Sequence, residues 1–465
     1  MKMVMKPPKW VFGLFGMAII LLLLIPSAVN AKSCERAVAG IYGEDPIGRE
    51  AFHPEICSYG SYVVMTYTME TNQPNPYGAG NVYNIRIAFS FNSGATWSHF
   101  EWVSYNIHVN QDYSDVRIFM DHTIDQIRIV VTWQEKPIDG SGPWEIKARE
   151  RNNPTIWGTW GSVYQVSDSS DNRDNIYPKI DTLSTDNGVI ACTYWPIVWQ
   201  RNYPTNTYGI KLNIFFIDSQ QLIGGFRLQP QDVAVPASSN YNYRHPAIAS
   251  NYISNADAEL HIVYDATIST GLNSHQIRVE SGYVNHFVNV PNQIYTPYTH
   301  NPNPQIISSA SMDINIGFPD IASCGPGGGG GHPVNPGQAH IALVWRGVNN
   351  GNRVYLVEST DSGVNYGSTQ TVSSNGAPDS LRSVAVAIDE QFNNQISVVY
   401  TNGNDIWFRK KVNNNPWAWI AEEQWTNDGN TDDFVDVYIR KPSGTTFSHV
   451  CWQESIQTVW YARDP

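Results

Sequence analysis

Apolar and polar positions along this chain recur in one fixed order. A short, nearly continuous apolar run that ends in Tyr or Trp occurs seven times, closing at Tyr67, Trp133, Tyr194, Tyr264, Trp345, Tyr400 and Trp452. Runs of this length suit strands that are covered on both faces. After each run comes a segment in which large apolar and polar residues alternate: NIRIAFS, WEIKARE, KLNIFFI, QIRVESG, VYLVEST, IWFRKKV and VWYARDP. A period of two marks a strand with one wetter face. A third segment precedes each run, often headed by Pro: HPEI from His53, VRIF from Val116, YPKI from Tyr177, HPAIA from His245, FPDIA from Phe318, VAVAI from Val384 and VDVYI from Val435. Proline is tolerated at the start of a strand, where its missing N–H costs least. A weaker fourth segment follows the alternating one in most copies, as in SVYQVS (162–167) and STQTVSS (368–374).

Four strands repeated seven times, with no useful helical period, predict an all-β fold: a seven-bladed β-propeller of four-stranded antiparallel blades. A six-bladed ring is the alternative count. The repeat fills residues 32–465, which makes them a single domain. The last copy stops at Pro465, just after its third strand, while Glu35–Glu44 is a strand candidate without a blade. The N-terminal strand is therefore expected to complete the last blade, closing the ring and removing an open edge.

What precedes the repeat is of another kind. Lys2, Lys6 and Lys9 lead into an apolar stretch from Trp10 to Ile25, followed by Pro26 and the small-residue site Val29-Asn30-Ala31. That order predicts a signal peptide over residues 1–31, and with it a secreted or cell-surface protein. An uncleaved anchor is the rival reading, against which the stretch is shorter than the ~20 residues that span a bilayer; membrane contact is expected through this segment alone. The whole chain carries a net charge of −13, and the three lysines of the leader take the remainder to −16. Such a balance argues against nucleic acid as a partner. Charged residues are 15% of the chain and aromatic ones 12%. Five cysteines (Cys34, Cys57, Cys192, Cys324 and Cys451) form no CxxC pair, so no zinc or redox motif is present. Their pairing and the oligomeric state are not legible in the sequence.

Two turns after alternating strands carry a further signature. Ser90, Asn92, Gly94 and Trp97 lie in SFNSGATW, and Ser359, Asp361, Gly363 and Tyr366 in STDSGVNY. These turns resemble the Asp-box, or BNR repeat, of the sialidase-like β-propeller superfamily. In such a turn a carboxylate or amide caps backbone N–H groups, glycine takes the positive φ, and the aromatic packs back on the sheet. The resemblance covers nearly all of residues 35–465 and implies architecture, with the Asp-box as a structural turn away from the ligand face. It would imply an exo-glycosidase of the sialidase type only if the catalytic set were kept. The Arg-Ile-Pro motif of that family has no copy here: the matching region reads Glu50-Ala51-Phe52-His53-Pro54.

Candidate chemistry lies in the loops that lead into the first strands. Arg49, Arg173, Arg244 and Arg382 come from separate blades and could fork onto one carboxylate or sulfate, or pair with surface acids. The acids Asp115, Asp171, Asp174, Asp313, Asp379 and Asp432 recur in the same region. They read as turn caps, as a carboxylate pair for glycoside hydrolysis, or as oxygen ligands for Ca²⁺, the one cofactor they would suit. No DxDxDG loop, HExxH, GxSxG elbow or phosphate loop is present. Trp157, Trp160, Trp195, Trp199, Trp417, Trp419 and Trp425 offer faces for sugar rings or for packing between blades. The expected function is that of an exported, non-catalytic protein that binds a glycan or another extracellular polymer at the propeller mouth. The alternative is a diverged sialidase-like glycoside hydrolase.

Overall fold

The structure is a computed structural model. It describes residues 33–40, 43–78, 80–170, 172–186, 191–204, 206–218, 225–226, 230–254, 257–268, 275–284, 298–300, 304–308, 318–324, 339–347, 353–373, 383–388, 395–413, 417–440, 447–454 and 457–464. The expected signal peptide lies outside these residues.

The described residues contain no helix. They form seven separate antiparallel sheets, which settles the ring at seven blades and excludes six. The innermost strands, in blade order, are Ala51–Tyr59, Val109–Asp121, Asn175–Ile180, Asn242–Ser254, Asp320–Cys324, Val384–Ile388 and Asp432–Arg440. Each pairs with the apolar run that follows it, and that run pairs with the alternating segment. The runs are apolar throughout because both of their faces are covered. In Tyr62–Pro74, the side chains of Val63, Met65 and Tyr67 join a cluster shared with blade 7, while Val64 joins one shared with blade 2. The core is thus a ring of seven clusters, one between each pair of neighbouring blades. Cys57, Cys192, Cys324 and Cys451 are buried thiols within it.

The N-terminal strand closes the ring. Ser33–Ala39 pairs antiparallel with Thr458–Asp464, placing Arg36 opposite Tyr461 and Ala37 opposite Trp460. The strand ends before the expected Glu44 because Gly40 turns the chain at φ 112°. A Cβ there would lie 2.7 Å from the Thr458 Cα.

The two Asp-box-like hairpins have matching geometry. Asn92 Oδ1 accepts from the Thr96 N–H at 2.8 Å, and Asp361 Oδ1 from the Asn365 N–H at 2.9 Å. The hydroxyls of Ser90 and Ser359 each accept from the glycine N–H at 2.9 Å. At Gly94 (φ 79°) a Cβ would lie 1.7 Å from the Tyr461 hydroxyl, so the turn can sit on blade 7 only with glycine in place. Both hairpins join the third strand of a blade to its fourth. The innermost strands begin at the other end of the ring, so these turns lie on the face opposite the channel mouth.

Candidate functional site: the channel mouth and an adjoining groove

Five of the seven innermost strands enter the ring through a bulge. His53, Tyr113, Tyr177, His245 and Phe434 have φ between 45° and 54°, and in each of these strands the pairing register shifts there. A non-glycine residue in this region costs on the order of 1–3 kcal/mol, so it persists only where neighbours enforce it. Glutamines of the preceding blade do so in three cases: Gln453, Gln134 and Gln200 accept from the N–H of His53, Tyr177 and His245 at 3.1, 2.9 and 3.3 Å. In two others the preceding carboxylate accepts instead, Asp112 from Tyr113 at 2.8 Å and Asp433 from Phe434 at 2.9 Å.

The bulges turn a collar of rings into the mouth. His53 stacks on Tyr113 with centroids 4.0 Å apart, and Tyr113 meets Tyr177 at 4.7 Å. Tyr177 meets His245 at 5.5 Å and His245 meets Phe318 at 4.0 Å, while Phe434 closes on His53 at 4.3 Å. In blade 6 the equivalent residue is Ser383, so the collar is broken at that one position. His53 Nδ1 lies 2.6 Å from Asp112 and His245 Nδ1 lies 3.1 Å from Asp265.

Two residues further along each strand lies a second layer: Glu55, Asp115, Lys179, Ala247, Asp320, Ala385 and Asp436. The collar, together with Glu55, Lys179, Asp320, Ala385 and Asp436 of the second layer, lines a cavity of about 110 Å³. Lys179 Nζ lies 2.5 Å from Glu55. Burial opposes the charge on Lys179, but Glu55 and the nearby Asp115, Asp436 and Asp320 hold it charged, with its pKa raised. Burial pushes Asp320 up to about 6 and raises Asp436 as well. Below this layer, Arg117 bonds Asp115 at 2.8 Å and lies 3.4 Å from Asp181.

The channel aspartates clasp the ring together. Asp115 Oδ2 accepts from the Ile180 N–H of the next blade at 2.8 Å. Asp320 Oδ2 does the same for Val386, and Asp436 Oδ2 for Ile56, both at 2.8 Å; Asp181 Oδ2 takes the Ser250 N–H at 2.7 Å. Asp115 is thus fully buried in the channel wall.

The other candidate residues are dispersed. Arg49 donates to Asn72 Oδ1 at 3.1 Å and lies 3.6 Å from Glu70. Arg173 packs over the ring of Tyr203 at 5.6 Å and Arg244 over Tyr208 at 4.8 Å. Tyr203 and Tyr208 sit at cross-strand positions of opposite parity in one hairpin. They project from opposite faces of blade 3, so these two arginines do not share a site. Asp174 Oδ1 caps the Trp144 N–H at 2.9 Å. Asp432 is buried in blade 7, where burial pushes its carboxyl up to about 7, with Asp428, Glu454 and Asp405 adding to the rise. Arg382, Asp171, Asp313 and Asp379 lie outside the described residues. Trp195, Trp199 and Trp425 are buried in the blade interfaces, whereas Trp157 is 83% exposed.

Arg173 and Asp174 do line a groove of about 510 Å³ between blades 2 and 3. Its walls are the hairpin at Gly140–Pro143, Asn172, and the hairpin from Asn202 to Asn206 with the Tyr203 ring. These segments adjoin the start of an innermost strand, so the groove opens on the same face as the collar. Tyr203 is fixed by its hydroxyl, which donates to Asp232 at 2.6 Å. Arg201 flanks the same ring at 5.9 Å. The collar was missed in the sequence reading. Its signal is an aromatic residue or histidine directly before the strand-heading proline, at His53-Pro54, Tyr177-Pro178, His245-Pro246 and Phe318-Pro319.

No family model matches the sequence, and no curated protein matches it significantly. Among solved structures the chain is similar to a Hadza microbial sialidase, at 9% identity and TM-score 0.43, over 89% of this chain and 65% of that one. It is also similar to a variant of the NanB sialidase from Streptococcus pneumoniae, at 9% identity and TM-score 0.44, over 96% of this chain and 72% of that one. A third is Penicillium chrysogenum α-L-arabinanase complexed with arabinobiose, at 12% identity and TM-score 0.41, over 76% of this chain and 89% of that one. The chain spans just under two thirds of the length of the Hadza sialidase. Its own strand order establishes the fold as a seven-bladed β-propeller.

Proposed function

We propose that this protein works outside the cell as a glycan-binding propeller, without catalysis, and that it takes its ligand in the groove between blades 2 and 3. The observation that carries the reading is the make-up of that groove. Three asparagines (Asn172, Asn202 and Asn206) and Arg173 line it together with the ring of Tyr203, on which Arg173 rests. Sugar hydroxyls and the apolar face of a pyranose ask for that combination. At about 510 Å³ the groove falls within the usual range for ligand sites, ~300–1,000 Å³. Hydrolysis by a carboxylate pair needs two carboxyl groups roughly 5–9.5 Å apart. Among the described lining residues Asp174 is the one carboxylate, and it is engaged by a backbone N–H.

A hydrolytic reading would turn to the collar, where Tyr113 and Tyr177 adjoin Asp112. Burial raises the pKa of both phenols, so attack by either would need a base to take its proton. The test is a glycan array probed with the full chain, followed by titration of the best ligand and assay of its hydrolysis. Retention without cleavage is expected, with Tyr203→Ala and Asn202→Ala each weakening binding about tenfold while the chain stays folded. Cleavage of the bound glycan, or affinity unchanged in both variants, would overturn the reading.

A further inference from the structure

The cavity at the channel mouth has a composition that the groove does not explain. Its upper wall is aromatic, with the rings of Tyr113, Tyr177, Phe318 and Phe434 and the two imidazoles around it. Its lower wall is acidic. Among the described lining residues, three carboxylates (Glu55, Asp320 and Asp436) face one cation, Lys179. Buried carboxylates in excess of their counter-ions must either hold a proton or be joined by a cation. The faces of aromatic rings attract cations for the same electrostatic reason, through the ring quadrupole. Both walls therefore ask for positive charge, and the rings ask that it be weakly hydrated and carry an apolar surface.

Size narrows the class. A dry cavity of ~150 Å³ holds benzene, with its six carbons. The cavity of about 110 Å³ here suits a group of roughly four or five non-hydrogen atoms. We infer that the channel mouth is a binding site for a quaternary ammonium headgroup, held between the aromatic collar and the carboxylates of Glu55, Asp320 and Asp436. Entry is beside Ser383, where the collar lacks a ring between Phe318 and Phe434. Phe318 and Phe434 flank that gap, so they touch the incoming group first.

The probe is choline, titrated into the full chain beside dimethylbutanol, its neutral analogue with carbon in place of the quaternary nitrogen. Choline is expected to bind about tenfold more tightly than the neutral analogue. Phe318→Leu and Phe434→Leu keep apolar bulk but lose the quadrupole, and each is expected to weaken choline by about the same factor without affecting the neutral compound. Tyr203→Ala, which disables the groove, should leave choline affinity unchanged, so failure of the glycan reading and failure of this one are separable. Equal affinity for choline and its analogue, no choline binding at millimolar concentration, or displacement of choline by Ca²⁺ at equal concentration would overturn the inference.

Discussion

At the scale of the residue, the carboxylates of the inner strands are the instructive case. The sequence presents Asp115 as an acid near a loop, open to a ligand role or a turn role, and places Asp320 and Asp436 inside first-strand segments. In the ring each spends an oxygen on the backbone N–H of the next blade. That role was illegible because the partner N–H lies some 65 residues away, or across the chain closure in the case of Asp436 and Ile56, and no local pattern records it. Asp115 also holds the Arg117 guanidinium. Asp115→Ala is therefore expected to destabilise the fold by about 3–5 kcal/mol, the cost of stranding a buried partner, read from the urea midpoint. A ligand-binding residue would instead leave the midpoint in place and change affinity alone. Conversely, the groove residues Asn202 and Tyr203 were within reach of sequence reasoning as a polar hairpin. Only the fold shows that Arg173 comes to rest on that ring.

At the scale of the element, the apolar runs and alternating segments were legible because they reflect purely local physics. A second strand is buried on both faces and a third on one and a half, and that difference is written into their periods. Outer strands were less legible. In blades 3, 4 and 6 the outer position is divided between two short pieces, each too short to show a period. The closing strand was found by subtraction, as a strand without a blade. Its removal supplies a clean test. A chain begun after Ala39 exposes the unpaired edge of Thr458–Asp464 and uncovers the interface cluster to which Val38 and Ala39 belong. Open edges of this kind recruit other chains, so the truncated protein is expected to elute as dimers or larger species in size-exclusion chromatography. A monodisperse monomer of unchanged thermal stability would show that the strand is dispensable.

At the scale of the whole molecule, burial sets the direction of the pH dependence. Burial pushes Glu280 up to about 8, Asp432 to about 7 and Asp320 to about 6. Near neutral pH the folded chain therefore holds protons that the unfolded chain has released, and stability increases as pH falls from about 8. His449 acts the other way. Burial lowers its pKa from 6.5 to about 3, with Arg463 contributing, so below about 6.5 the unfolded chain takes up a proton that the fold refuses. The melting temperature is expected to be higher near pH 6.5 than near pH 8, by about 2–4 °C per kcal/mol gained. Glu280→Gln and Asp432→Asn should each flatten that rise in calorimetric scans. A melting temperature that climbs steadily from pH 6.5 to pH 8 would contradict the assignment.

The closing strand also gives the molecule a front and a back. An innermost strand starts at the collar, and every neighbour outward runs antiparallel to the one before it. Ser33–Ala39, fourth in its blade, therefore ends at the collar face and begins at the opposite one. Whatever precedes Ser33 departs from the rear rim of blade 7. A tether at that end would hold the propeller by its back, with the Asp-box-like hairpins toward the point of attachment and the groove and collar presented to whatever approaches from outside.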